Sequence, residues 1–279
     1  SCMQAKLSPN FQSSTNSPGQ LSASCTNGLK GCIGTQGTSN SAALASRFCA
    51  EFLKNLRKSH GLDVPPEYES VAIKAMLVHC CSWGGIGKTL HDKFVPQLPR
   101  LRKKEVLKWI GYGYPNPEIS FFCTDQRVTL VGYGELPNGM QSEFNFPLPS
   151  CLISKAVSKR LTITLAWLSP IAPCNQDYRL AKLSFRTKSS LIAKDISDSD
   201  ERAAKRGTVQ HEVFVGKQAS TYLSGTNLEI VVSCKKEERL TYPVKYVLMA
   251  TLEVSPEVSL PIYEEIKSSL AQQVEPLKV

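Results

Sequence analysis

Alternation of apolar and polar side chains most restricts what residues 120–279 can fold into. Leucine, isoleucine, leucine and tryptophan fill the odd positions of residues 161–167, and threonine or alanine fills the even ones. Residues 244–254 repeat this period of two, which puts alternate side chains on opposite faces of a strand. Shorter runs of strand composition lie at 128–133, 144–147, 178–185, 209–215 and 228–233. About seven or eight short strands predict an antiparallel, jelly-roll-like β-sandwich.

The spacing before residue 120 is helical instead. Apolar residues recur at intervals of three and four from Ala42 to Leu56, after a first turn of small residues. A nearly continuous apolar run at 71–78 predicts a second, buried helix, and we expect Gly84, Gly85 and Gly87 to interrupt helical structure. We therefore predict two domains, residues 1–119 and 120–279. Residues 1–37 are expected to be mostly coil, and residues 187–206 an exposed loop with a short helical piece.

Composition excludes several classes of protein. No apolar run approaches the roughly 20 residues that a membrane-spanning helix needs, and no signal peptide is recognisable, so we expect a cytoplasmic protein without a membrane partner. The ten cysteines stand without zinc-site spacing and predict reduced core thiols, with no metal and no cofactor. The net charge of +9 comes from lysines and arginines that are not interleaved with aromatic residues, which is typical of a solvated face rather than a nucleic-acid site.

The run Gly37-Thr38-Ser39 stands directly before the first predicted helix and is the strongest chemical signal. A serine nucleophile needs a base that takes its proton and donors that hold the oxyanion. Ser39 in the first turn of a helix would offer its unpaired backbone N–H, in a region where the helix dipole favours negative charge. Gly37 would permit a sharp chain entry, and Thr38 could fix the turn by a local hydrogen bond. The alternative is that Thr38 or Ser39 only caps the helix.

The wider sequence resembles the subtilisin-like serine peptidases, and most closely the bacterial anti-phage members that are found beside an AAA-type ATPase. The resemblance is carried by residues 37–47, 77–83, 111–130, 165–183, 206–215 and 261–266. It implies an α/β catalytic domain that ends near residue 119 and is followed by the β-sandwich. It also implies a peptide or protein substrate, an AAA-type ATPase partner, and Ser39 as the catalytic nucleophile, with Gly37 and Thr38 positioning it.

The rest of the triad does not accompany Ser39. In subtilisin-like chains the Asp and His precede the Ser, yet residues 1–38 contain no Asp, Glu or His. Asn10 stands in the acidic place of the family's lysine, proline, aspartate segment, and the oxyanion asparagine of the family would lie before Ser1. Ser41 and Ala43 also replace the usual alanine and proline. We therefore expect a fragment that is inactive alone.

Three other interpretations compete with this one. Gly84-Gly85-Ile86-Gly87-Lys88-Thr89 ends like a P-loop, but Ser82 stands where the first glycine belongs. A triad in the order Ser, acid, His could use a histidine after Ser39, although Ser41 replaces the second glycine of a nucleophile elbow; the candidates are His60, His79, His91 and His211. His79 and His211 are better explained as structural residues. The remaining alternative is a non-catalytic β-sandwich that binds protein or nucleic acid.

Overall fold

A computed structural model describes residues 20–23, 32–35, 37–58, 64–93, 106–116, 123–173, 178–187, 191–192, 195–197 and 207–274. The chain divides into two compact units, residues 1–54 and 55–279. The predicted domain boundary after residue 119 lies outside the described residues. None of the helices in these ranges is both long and apolar enough to cross a membrane.

In the first unit a β-hairpin leads into a long helix. Strands β1 (Gln20–Ala23) and β2 (Cys32–Thr35) pair antiparallel, with Gln20 opposite Thr35. The helix α1 (Thr38–Lys58) starts three residues after β2 and follows the predicted spacing. Residues 1–37 were expected to be mostly coil if they stood alone; these eight residues form strands because pairing between the two segments supplies the backbone hydrogen bonds that neither could make alone.

The second unit is mostly antiparallel β-sheet with a few helices, an arrangement compatible with a β-sandwich. The strands of its two main sheets are β5 (Arg127–Leu136), β6 (Gln141–Pro147), β7 (Lys159–Trp167), β8 (Leu183–Thr187), β9 (Asp195–Ser197), β10 (Val209–Gly216), β11 (Asn227–Cys234) and β12 (Val244–Val254). One sheet has five strands in the order β5-β12-β7-β10-β9, and the other has three in the order β6-β11-β8. Strand β9 corrects the prediction of a loop at 187–206, since it pairs with β10 through residues 213–215.

The two sheets share one apolar core. The odd-numbered residues 161–167 of β7 and the even-numbered residues of β12 enter it, each set on one face as the alternation predicts, together with residues such as Leu228, Ile230 and Val232 of β11. Trp167 is fully buried, and its indole N–H donates to the carbonyl of Ala181 at 3.1 Å. Burial of this many large side chains is the main favourable term in folding.

Helix α2 (Glu69–His79) covers the other face of the five-stranded sheet. It packs against β7, β10 and β12, so those strands are buried on both faces. The ammonium group of Lys74 donates to the carbonyl of Trp167 at 3.0 Å and to the hydroxyl of Thr208, which ties the helix to the ends of two strands. Burial lowers the pKa of Lys74, and the neighbouring Arg179 adds to this effect.

The glycine-rich segment after α2 is helical, contrary to its prediction as a break. A two-residue strand β3 (Cys81–Ser82) pairs with β4 (Tyr114–Pro115), and helix α3 (Gly84–Lys93) follows. Gly87 lies against Trp83, where an added Cβ would stand 2.1 Å from the Trp83 Cβ. Glycine is needed here for close contact rather than for chain reversal, which is why the sequence pattern was misleading. Two short 3-10 helices (Pro66–Tyr68 and Ser150–Leu152), a helical stretch at residues 106–110 and helix α4 (Ile262–Val274) are also present.

Candidate functional site

Ser39 is exposed in the first turn of α1, with Gly37 immediately before the helix. The backbone of Gly37 has φ +153°, a conformation that residues with a Cβ rarely adopt. The carbonyl of Gly37 accepts the first helical bond, from the N–H of Ser41 at 3.2 Å. Gly37 therefore occupies the N-cap position, and the interpretation of Thr38 or Ser39 as the cap does not hold.

This geometry leaves the Ser39 N–H outside the helical ladder. Because the ladder begins at Ser41, the N–H groups of residues 38–40 precede it and point out of the helix start. Within the described part of the chain, the Ser39 hydroxyl has no hydrogen-bond partner. A carbonyl oxygen that acquired negative charge beside Ser39 would meet an N–H donor and the positive end of the helix dipole.

A small polar cluster joins the helix start to the hairpin. The side-chain amide of Asn40 donates to the hydroxyl of Thr35 at 2.8 Å and to its carbonyl at 3.2 Å. The Thr35 hydroxyl donates in turn to the carbonyl of Gln20 at 3.1 Å. These three residues form what we call the hairpin clamp. Sequence reasoning missed it, because an asparagine beside a serine carries no signal until β2 is known to end at Thr35.

The two histidine side chains that the structure describes, His79 and His211, are buried and belong to one hydrogen-bond network. His79 contacts the hydroxyl of Thr164 through Nδ1 at 2.8 Å and that of Thr251 through Nε2 at 2.6 Å. The Thr164 hydroxyl also contacts Nδ1 of His211 at 2.7 Å, and Thr129 contacts Thr251 at 2.7 Å. The prediction that both histidines are hydrogen-bonded structural residues is confirmed.

Both rings are held neutral by their surroundings. Burial lowers the pKa of His79 to about 3, with the nearby His211 and Arg160 adding to the effect. Burial lowers the pKa of His211 to about 4, again with a contribution from Arg160. Neutral imidazoles can pass hydrogen bonds along the chain from Thr129 to His211 in either direction, because each hydroxyl can rotate. Because His79 belongs to α2 while Thr164 and Thr251 belong to β7 and β12, these hydrogen bonds hold α2 on the sheet.

The remaining candidate residues are described only in part. The backbone of His91 belongs to α3, but its side chain and all of His60 lie outside the described residues. Among the residues that the structure does describe, no three His, Cys, Asp or Glu side chains converge as a metal site would require. Among the cysteines whose side chains the structure describes, none is in a disulfide; they are Cys49, Cys80, Cys81, Cys123, Cys151 and Cys234.

Comparison with known proteins adds only distant structural similarity. No family model and no curated protein matches the chain. A chain of the cyanophage Pam1 capsid asymmetric unit is 13% identical, with 48% of this chain and 90% of that chain covered and a TM-score of 0.27. A chain of the acid-stable capsid of Helicobacter pylori bacteriophage KHP30 is also 13% identical, with 47% and 94% covered and a TM-score of 0.18. Likeness at these TM-scores supports no conclusion about function.

Proposed function

We propose that this chain is the C-terminal part of a subtilisin-type serine endopeptidase, with Ser39 as its nucleophile. The observation that carries the proposal is the exposed Ser39 in the first turn of α1, beside a glycine N-cap and with its own N–H outside the helical ladder. In this proposal residues 1–119 derive from the α/β catalytic domain, and the β-sheets belong to an appended domain.

The residues present would carry out part of the reaction. The Ser39 hydroxyl would attack a peptide carbonyl, and the Ser39 N–H would donate to the oxyanion that forms. Gly37 adds no side chain where the substrate would approach, and its φ sets the entry of the chain into α1. A histidine base and the aspartate that orients it would come from sequence upstream, as would a second oxyanion donor.

The biological setting follows from the resemblance alone. From it we also propose a peptide or protein substrate, an AAA-type ATPase partner, a cytoplasmic location and a part in anti-phage defence. They depend on Ser39 being a nucleophile, so the first experiment addresses that residue.

Fluorophosphonate labelling tests the proposal directly. We expect no labelling of the 279-residue chain, because a serine hydroxyl without a base is a poor nucleophile. The same chain extended by the upstream in-frame coding sequence should be labelled stoichiometrically at Ser39, as located by peptide mass spectrometry. Ser39→Ala should abolish labelling of the extended protein, whereas Ser46→Ala on the same helix should not.

Two results would overturn the proposal. Stoichiometric labelling of Ser39 in the chain alone would show that it does not need absent partners. An extended protein that carries an upstream Asp and His, folds, and remains unlabelled would show that Ser39 is not a nucleophile. The second result would favour the non-catalytic interaction module.

A further inference from the structure

We infer that Asn40 is a positioning residue for Ser39 and acts through the hairpin clamp of Gln20, Thr35 and Asn40. The inference rests on the proposed function, because it assigns a role within the same site. Asn40 follows Ser39 directly, so any bond that fixes the Asn40 side chain also restrains the backbone that carries the nucleophile.

The direction of the hydrogen bonds is fixed by chemistry. The Thr35 carbonyl can only accept, so the atom of Asn40 that faces it at 3.2 Å must be the amide nitrogen. The Thr35 hydroxyl uses its one proton on the Gln20 carbonyl at 3.1 Å, and it therefore accepts from Asn40 at 2.8 Å. The Asn40 amide nitrogen also faces the side-chain oxygen of Gln20 at 3.5 Å, so each of its three neighbours in the clamp is an acceptor. A carboxylate at position 40 could not replace the amide, since it has no proton to donate.

The clamp also lies where it restrains the helix start. Thr35 is the last residue of β2, and only residues 36 and 37 separate it from α1. The N-cap residue Gly37 has no side chain with which to hold the first turn of α1 against the hairpin. The bonds from Asn40 to Thr35 link the end of β2 to the first turn of α1 and hold that turn against the hairpin. A displacement of about 1 Å at a nucleophile can cost on the order of a hundredfold in rate.

The test measures the rate of acylation separately from stability and substrate binding. In the extended protein, Asn40→Ala and Thr35→Val should each slow fluorophosphonate labelling and lower kcat by about ten- to a hundredfold, with KM nearly unchanged. Thr35→Ser keeps the hydroxyl and should react at close to the original rate. The double variant Asn40→Ala/Thr35→Val should be no slower than the worse single variant, because both remove the same interaction.

The matched control is Ser46→Ala. It removes a side-chain hydrogen bond of 2.9 Å from the same helix, between the Ser46 hydroxyl and the Ala42 carbonyl, and should leave the labelling rate unchanged. Helical content and the denaturation midpoint of the 279-residue chain should change little in the Asn40 and Thr35 variants. If the unsubstituted extended protein labels at Ser39 but Asn40→Ala labels equally fast, the positioning role is refuted while the proposed function stands. If the unsubstituted protein does not label, the proposed function itself fails.

Discussion

Gly113→Ala is expected to lower the free energy of unfolding by about 3 kcal/mol or more, the largest effect of any single substitution considered. Gly113 has φ +99°, and a Cβ added there would stand 2.1 Å from the backbone oxygen of Ser82. Strands β3 and β4 pair at this point, with Ser82 opposite Tyr114, so neither backbone can move without breaking the pair. Urea denaturation followed by circular dichroism would measure the loss.

Gly111→Ala is the matched control two residues earlier. Gly111 also has a positive φ, of 56°, but a Cβ there would meet nothing within 4 Å. Its substitution should cost only the roughly 1 kcal/mol of a left-handed conformation. Its carbonyl would still accept the 2.9 Å bond from the Trp83 indole. Equal losses for the two variants would show that the close approach of Gly113 to Ser82 does not exist in solution.

Acid is expected to unfold the second unit over a defined pH range, because His79 and His211 are buried and neutral. The folded protein holds their pKa values at about 3 and about 4, against an ordinary value of 6.5. Below about pH 6.5 the unfolded chain binds protons that the folded chain does not, so the unfolded state gains stability as pH falls. Each histidine should remove about 1.4 kcal/mol per pH unit between pH 6 and its folded pKa.

The variants His79→Gln and His211→Gln separate this effect from general acid denaturation. Glutamine keeps a donor and an acceptor but does not titrate, so each variant should show a shallower loss of stability below pH 6. Each should also be less stable than the unsubstituted chain at pH 7.5, since the hydrogen bonds to Thr164 are less well made. Measurement of the urea midpoint at half-unit intervals from pH 7.5 to 4.5 would give both slopes. If the slope of stability against pH is unchanged in His79→Gln, the pKa of His79 is not lowered in the folded protein.

Much of the second unit is readable from periodicity. The alternation in residues 161–167 and 244–254 correctly predicted which side chains of β7 and β12 share a face, and those faces enter the core. It could do so because a buried antiparallel strand imposes a period of two on its own sequence. The helix from Ala42 to Leu56 was equally clear, because its spacing satisfies the helical period locally.

The sequence failed where pairing with another segment, or one close packing contact, decides the conformation. The hairpin of β1 and β2 has too few apolar residues to be recognised, and β9 is three residues long within a charged segment. The glycines at 84–87 suggested a break, but Gly87 is a contact surface for Trp83. In the first two cases pairing with another segment decided the conformation, and in the third a close contact between residues four apart at the start of α3 did so.

For the candidate site, the sequence by itself determined that Ser39 would begin a helix beside a glycine, and that residues 1–38 hold no acid or histidine to activate it. Only the tertiary structure assigned the N-cap to Gly37, joined Asn40 to Thr35 and placed His79 in hydrogen-bonding distance of Thr251, 172 residues later. The physical reason is that helix spacing is set by neighbours three or four residues away, whereas hydrogen-bond networks depend on which strands meet.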